Sequence, residues 1–238
     1  MSSAGMRRLL IWRHGRTEWN ADGRVQGQED VGLDEVGRRQ ATVTAPVLAQ
    51  QRPAVVVSSD LQRAHHTAQA LAQHLGVEIQ LDPRLRERGF GVWEGLNSEQ
   101  MAAQYPQAFA RWRVGGEPDV PGLETEAAMN KRVSAGIDSA LKLTEGTVCL
   151  VTHGGVAKRA LSLLLGWPPD VPWGFNALGN CRWLELRSRD DDRWRLQAYN
   201  VGAQPVEGDR ATAVTGAAAE VPADTASDTT ADIEPVVP

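Results

Sequence analysis

The feature of this sequence that most limits its possible folds is an alternation of short apolar runs with longer segments of helical periodicity. The predicted strands are residues 7–12, 54–58, 77–81, 147–152, 181–186 and 194–199, with an acidic turn at 190–192. The predicted helices are 34–50, 60–75 (capped by Ser59 or Asp60), 98–104, 106–113, 124–144 and 156–165. Such alternation favours a three-layer α/β/α sandwich with a mostly parallel central sheet, and we expect the last two strands to form a hairpin at one edge.

The charge of the chain is unevenly distributed. Of its 30 acidic and 25 basic residues, residues 203–238 hold seven acids and one base, Arg210. This leaves 23 acids and 24 bases in residues 1–202, so that part is close to neutral and gives no reason to expect a nucleic-acid partner. Residues 203–238 also lack aromatic residues and any hydrophobic period, so we expect a disordered acidic tail after one folded domain at 1–202.

The two cysteines and the short apolar runs limit where the protein can act. Cys149 and Cys181 cannot form a disulfide framework or a four-cysteine zinc site, which favours a reducing compartment. No apolar run approaches the roughly 18 residues that a membrane span needs, and residues 9–12 are too few for the core of a signal peptide. The sequence therefore predicts a cytoplasmic protein with no membrane partner.

One triplet of chemically capable residues follows the first predicted strand. Arg13, His14 and Gly15 come directly after residues 7–12. In an open α/β sheet the ligand crevice lies beyond the carboxyl ends of the strands, which is where this triplet falls. Arg13 offers a planar fork of donors for phosphate or carboxylate, and Gly15 lets the backbone approach a ligand closely. His14 could be a nucleophile, a base or a metal ligand, but a structural histidine at a strand end is the better explanation of this triplet taken alone.

A second triplet has the same arrangement. His153, Gly154 and Gly155 follow the buried strand 147–152 at the start of a helix. Helix N-terminal amides favour an anion, so this triplet also predicts an anion site. Two histidines at strand ends of one sheet are much harder to explain as structural coincidence.

Two further segments are expected at the same edge of the sheet. Residues 58–64 run from a strand into a helix and place Arg63 in the first helical turn. Residues 85–95 form a loop punctuated by glycine, in which Glu87 could be held over a ligand. The alternative interpretation of Glu87 is a surface salt bridge to one of its neighbours, Arg84, Arg86 or Arg88.

In this order the motifs resemble the histidine phosphatase superfamily, which has the phosphoglycerate-mutase-like fold. The resemblance covers nearly all of residues 6–202 and also includes Thr17, Asn20, the pair Gln26-Gly27, Thr67-Ala68 and Trp93-Glu94-Gly95. Within the superfamily the sequence is most similar to actinobacterial glucosyl-3-phosphoglycerate phosphatases, through residues 24–28 and the pair Gly179-Asn180 among others.

The sequence departs from the family pattern at two places. The usual Asp-x-Pro-Leu-Thr after the first motif is replaced by residues 30–34, Asp-Val-Gly-Leu-Asp. The usual Gly-Gly-Glu-Ser before the long helix is replaced by residues 121–125, Pro-Gly-Leu-Glu-Thr. Both segments lie near the crevice mouth in such proteins, so the departures bear on the identity of the substrate.

The resemblance implies a metal-independent phosphomonoester hydrolase without a cofactor, in which His14 forms a phosphohistidine. It implies that Glu87 protonates the leaving group and that Arg13, Arg63 and His153 surround the phosphoryl oxygens. His153 must be protonated for that role, and a bound dianion should raise its pKa. The substrate-binding residues implied are Asn20, Gly15, Thr17, Gln26, Gly27 and Gly154.

Other functions stay open at this stage. No His-Glu-x-x-His motif, carboxylate cluster or Walker pattern supports a metal site or a nucleotide site. A cofactor-dependent phosphoglycerate mutase is the enzyme alternative, although the region between Gly95 and Glu124 is short for its lid. A pseudo-phosphatase that only binds phospho-ligands is the non-enzyme alternative. The expected partner is a small phosphorylated metabolite, and the resemblance suggests a homodimer. Four arginines near the crevice mouth indicate either a second anionic group on the substrate or a solvated basic rim. They are Arg86, Arg88, Arg111 and Arg113.

Overall fold

The computed structural model describes residues 7–168, 171–188 and 193–203. The strands are β1 (Arg8–Arg13), β2 (Val55–Ser58), β3 (Ile79–Leu81), β4 (Thr147–Thr152), β5 (Trp183–Ser188) and β6 (Trp194–Val201). The α-helices are α1 (Glu18–Ala21), α2 (Glu35–Ala49), α3 (Gln62–Leu75), α4 (Ser98–Gln104), α5 (Pro106–Arg113), α6 (Glu126–Leu141) and α7 (Gly154–Leu165). The predicted acidic turn at 190–192 and the predicted tail, from residue 204 onward, lie outside the described residues.

The six strands form one sheet in the order β3-β2-β4-β1-β5-β6. The three pairings among β3, β2, β4 and β1 are parallel, whereas β5 pairs antiparallel with both β1 and β6. The sheet is therefore mostly parallel, and the last two strands form the predicted antiparallel pair at one edge. The predicted α/β sandwich is confirmed.

Each face of the sheet buries a separate core, because alternate residues of a strand point to opposite faces. On one face, Leu9 and Ile11 of β1 pack in a cluster with residues of α6 and α7. On the other face, Leu10 and Trp12 pack with residues of α2 and α3. The helices thus form two layers around the sheet, and the central strands β1 and β4 are buried from both sides.

A smaller apolar cluster lies in the segment between β3 and α6. It includes the edge-to-face pair of Trp93 and Trp112, with ring centroids 5.5 Å apart, and Phe90 and Phe109. These residues come from α5, from a short 3₁₀ helix at Gly91–Trp93 and from its N-cap, Phe90. The segment that carries Glu87 therefore runs directly into a packed aromatic lobe. No helix in the described part of the chain is long and apolar enough to cross a membrane.

The start of α3 differs from the prediction. Its N-cap is Leu61, which has no side-chain capping bond, rather than Ser59 or Asp60. The Asp60 carboxylate instead pairs with Arg86, and Asp30 from a distant loop accepts the hydrogen bond of the Gln62 N–H. The cap is thus supplied by tertiary contact, which local sequence could not indicate.

The close contact between the first triplet and α2 generates a prediction about stability. A Cβ at Gly37 would lie 2.0 Å from the carbonyl oxygen of Arg16, which is backbone and cannot rotate away. We expect Gly37→Ala to lower the free energy of unfolding by about 1–3 kcal/mol in urea titrations. The control is Gly32→Ala, whose added Cβ has no heavy atom within 4 Å, and we expect it to change stability by less than about 0.5 kcal/mol. Equal losses for both variants would contradict this packing.

Candidate active site

The three central parallel strands bring the candidate residues to one edge of the sheet. His14 follows β1, Ser59 follows β2 and His153 follows β4, which lies between the other two. The backbone continues the pairing past the strand ends, because the His14 N–H donates to Thr152 O at 2.9 Å. The rings of His14 and His153 have their centroids 5.1 Å apart. The argument from strand ends therefore places both histidines correctly.

His14 is arranged as a neutral imidazole with one free basic nitrogen. Its Nδ1 lies 2.7 Å from Gly15 O. Because a carbonyl oxygen accepts hydrogen bonds, Nδ1 carries the proton and Nε2 of the neutral ring keeps its lone pair. Burial holds the pKa of His14 well below its usual range, and the positive charges of Arg63 and Arg13 lower it further. The ring is therefore uncharged at neutral pH, which suits it to act as a nucleophile.

The backbone of His14 is fixed by a residue that the sequence analysis did not assign to the site. The carbonyl oxygen of His14 accepts hydrogen bonds from Asn180 Nδ2 at 3.0 Å and from the Cys181 N–H at 3.2 Å. The same Asn180 nitrogen lies 3.3 Å from Asn20 Oδ1. Asn180 thus links the loop that carries His14 to Asn20. The only indication in the sequence is the family pair Gly179-Asn180.

Arg63 and Arg13 are both almost completely buried at this edge. Arg63 donates through its two Nη atoms to the carbonyl oxygens of Gly27 and Glu29, each at 2.7 Å. Burial lowers the pKa of Arg63 to about 10, so it stays charged at neutral pH. Arg13 donates to Leu178 O at 2.6 Å, while its buried Nε has no hydrogen-bond partner among the described residues. A buried donor without a partner is a ready contact for a ligand oxygen.

His153 is neutral as the site stands. The Arg63 Nε–H donates to His153 Nδ1 at 3.2 Å, so Nε2 carries the ring proton and donates to Ser59 Oγ at 2.9 Å. Burial holds the pKa of His153 well below its usual range, and the charge of Arg63 adds to the effect. The protonated His153 that the sequence analysis expects therefore requires a bound anion to replace Arg63 at Nδ1. Ser59 is a second contact residue that sequence reasoning did not assign.

Glu87 is held over the start of α7 by two backbone amides. Its Oε2 accepts from the Gly155 N–H and its Oε1 from the Arg88 N–H, each at 2.9 Å. A Cβ at Gly155 would lie 2.4 Å from Glu87 Oε1, so only glycine permits this approach. The neighbouring arginines pair with other acids: Arg84 with Asp82, Arg86 with Asp60, and Arg88 with Glu117. The salt-bridge interpretation of Glu87 is therefore wrong.

Three further predicted site residues, Gly15, Thr17 and Gln26, differ in the contacts that they make. A Cβ at Gly15 would lie 2.5 Å from Gly37 O, so this glycine permits close packing against α2, and its contact with a ligand stays a prediction. Thr17 caps α1 in a reciprocal capping box with Asn20. The buried Oε1 of Gln26 has no hydrogen-bond partner in the described part of the chain, which makes it a candidate ligand contact.

The two other predicted glycines lie beside the arginines. Gly27 has a positive φ of 52° and offers its carbonyl oxygen to Arg63. A Cβ at Gly154 would lie 3.6 Å from Arg13 Nε, which is an ordinary contact. Among the described residues, no group of three or more His, Cys, Asp or Glu side chains is placed to hold a metal ion. The edge thus presents an uncharged imidazole, a carboxyl group and two guanidinium groups, which suit the transfer of a phosphoryl group.

Comparison with known proteins gives a family and several relatives. A family profile described as "Histidine phosphatase superfamily (branch 1)" matches residues 9–202. The glucosyl-3-phosphoglycerate phosphatase of Mycolicibacterium vanbaalenii is 36% identical over 217 residues, which is 84% of this chain and 96% of that protein. A solved mycobacterial glucosyl-3-phosphoglycerate phosphatase, in complex with inorganic phosphate, is 36% identical with a TM-score of 0.73 and covers 83% of this chain and 99% of that one.

A relative with a different name is also similar. The protein named "Probable phosphoglycerate mutase GpmB" in Yersinia enterocolitica is 37% identical over 168 residues, which is 70% of this chain and 78% of that protein. This match is shorter than the match to the phosphatases, so it supports the mutase alternative only weakly.

The neutral state of His153 generates a prediction about protonation. An anion that replaces Arg63 at Nδ1 should raise the pKa of His153 from its lowered value, so the protein should take up a proton on binding. Sulfate is a suitable probe because it remains a dianion near neutral pH. Calorimetry in two buffers of different ionisation enthalpy should report proton uptake with the unmodified protein and less with His153→Gln. Equal uptake by both proteins would contradict the assignment.

Proposed function

The chain belongs to the histidine phosphatase superfamily, and from that premise we propose that this phosphomonoester hydrolase acts by double displacement through a phosphohistidine at His14. One observation carries the proposal: the neutral His14 ring keeps the lone pair on Nε2, and two buried arginines, Arg13 and Arg63, lie near enough to lower its pKa. A phosphate monoester carries about −1.5 to −2 charge near pH 7, so it repels anionic nucleophiles but not a neutral imidazole.

In the first step, His14 Nε2 attacks phosphorus and the bond to the leaving oxygen breaks. Glu87 donates a proton to that oxygen, so the alcohol leaves uncharged. The donors of Arg13 and Arg63 stabilise the negative charge on the phosphoryl oxygens in the transition state. His153 joins them once the bound dianion has raised its pKa.

In the second step, water attacks the phosphorus of phosphohistidine. Glu87, now ionised, accepts the proton of that water, and the N–P bond breaks to restore the neutral His14 ring and release phosphate. Each proton that Glu87 gives in the first step therefore returns to it in the second. No metal ion is needed to balance the reaction.

We propose glucosyl-3-phosphoglycerate, or a closely related phosphorylated metabolite, as the substrate. The support is the similarity to the phosphatases of that name over more than four-fifths of the chain. Two of the four arginines that could hold a second anionic group already pair with acidic residues: Arg86 with Asp60, and Arg88 with Glu117. Arg111 and Arg113 are exposed and form no ion pair within the described ranges, so they are the arginines left for a second anionic group.

The location and assembly of the protein remain predictions. Cys149 and Cys181 are buried and are not joined in a disulfide bond, which fits a reducing compartment such as the cytoplasm. The homodimer and the domain boundary at residue 202 rest on the sequence and the resemblance alone.

The first test measures phosphate release in the presence of EDTA. The substrates are glucosyl-3-phosphoglycerate, 3-phosphoglycerate, fructose bisphosphates, nucleoside monophosphates and p-nitrophenyl phosphate. We expect kcat/KM of at least about 10⁴ M⁻¹s⁻¹ for one physiological ester and its loss in His14→Ala. Uniformly weak turnover would contradict the phosphatase function and favour the pseudo-phosphatase that only binds phospho-ligands. Strong dependence on 2,3-bisphosphoglycerate would contradict it in favour of the mutase.

The second test concerns the proton from Glu87. The leaving group of p-nitrophenyl phosphate scarcely needs an acid, whereas an alkoxide does. We therefore expect Glu87→Gln to slow alkyl phosphates by about 10²–10⁴-fold and to slow p-nitrophenyl phosphate far less. Steady-state kinetics on both substrates measures the difference. Equal losses on the two substrates would show that Glu87 is not the acid.

A further inference from the structure

The guanidinium group of Arg132, on α6, is bonded to the loop that carries Glu87. Its Nη1 donates to Arg84 O at 2.9 Å and to Arg86 O at 2.5 Å, and its Nη2 donates to Glu87 O at 3.0 Å. One side chain thus binds three carbonyl oxygens within four consecutive residues. These bonds fix the backbone on both sides of the Glu87 Cα atom.

Glu124 holds the guanidinium group in place and also bonds to the same loop. Its carboxylate forms a two-point ion pair with Arg132, through Nε at 2.5 Å and Nη2 at 2.7 Å. The Gly89 N–H donates to Glu124 Oε2 at 3.2 Å, and the backbone N–H of Glu124 donates to Gly89 O at 2.8 Å. The Arg132–Glu124 pair is therefore hydrogen-bonded to both ends of the segment 84–89.

The side chain of Glu87 is anchored separately, at the amides of Gly155 and Arg88. Those two bonds orient the carboxylate only if the backbone of Glu87 keeps its position relative to α7. The Arg132 and Glu124 side chains are mostly shielded from solvent, with 18% and 16% exposure. Water therefore competes weakly for these bonds, and the loop has a rigid support.

We propose that the Arg132–Glu124 pair is a positioning device that holds Glu87 at the distance needed for proton transfer to the leaving oxygen. In this role the pair acts through the backbone of residues 84–89, to which both side chains are hydrogen-bonded. The inference rests on the proposed function, because it gives Glu87 the role of acid. A planar guanidinium group is required, since an ammonium group is a point charge that cannot reach three carbonyls and a carboxylate together.

The test compares Arg132→Lys with the unmodified full chain on two substrates in EDTA: β-glycerophosphate, which has an alkoxide leaving group, and p-nitrophenyl phosphate. A misplaced acid should lower kcat/KM for β-glycerophosphate by about 100-fold. The same variant should lower kcat/KM for p-nitrophenyl phosphate by less than about threefold, because that leaving group needs little protonation. In a Glu87→Gln background, Arg132→Lys should cause no further selective loss.

A matched ion pair provides the control. Arg8 and Glu185 also form a two-point ion pair, with 20% and 9% exposure, at the opposite end of β1. Arg8→Lys should reduce thermal stability without changing the ratio of the two kcat/KM values. If Arg132→Lys does not fold, Glu124→Gln keeps the shape of the side chain and should change the ratio in the same direction.

The outcomes separate the two proposals. Equal losses on both substrates in Arg132→Lys or Glu124→Gln, with Glu87→Gln still selective, would overturn the positioning role and leave the proposed function intact. An unselective Glu87→Gln, or an unmodified protein without phosphatase activity, would overturn both.

Discussion

The constraint on which the rest of this structure depends is the burial of two guanidinium groups beside two neutral imidazoles. A buried cation without a counter-charge is costly unless hydrogen bonds satisfy it. Arg63 meets this demand through two backbone carbonyls and His153 Nδ1, and Arg13 through Leu178 O. Burial keeps His14 uncharged, and the positive charges of Arg63 and Arg13 lower its pKa further. In the proposed mechanism, a phosphate dianion supplies the negative charge that balances these arginines.

Sheet topology and glycine placement make this arrangement possible. The strands β1, β4 and β2 are adjacent and parallel, so the residues after each strand meet at one edge. Close backbone approaches complete the site: Gly15 lies against Gly37, and Gly155 lies under the Glu87 carboxylate. These contacts leave no room for a methyl group at either glycine. The positions of His14 and Glu87 therefore depend on contacts between segments that are distant in the sequence.

The sequence predicts the parts of the fold that depend on local pattern. Alternating periodicity identifies all six strands to within a few residues, and the strand-end argument brings His14 and His153 together. Contacts between distant residues could not be predicted in this way. Asn180 lies 166 residues from His14, and the Asp30 that serves α3 lies in another loop. The packing of Gly15 against Gly37 of α2 could not be predicted for the same reason. The roles assigned to the site residues remain predictions.

The most direct measurement of the central claim is the stereochemical course at phosphorus. A phosphohistidine mechanism consists of two in-line displacements, and each of them inverts the configuration. Hydrolysis of an ester whose transferred thiophosphoryl group is made chiral with oxygen isotopes should therefore proceed with overall retention, read by phosphorus NMR of the product. Overall inversion would show that water attacks the ester directly, and it would contradict His14 as the nucleophile.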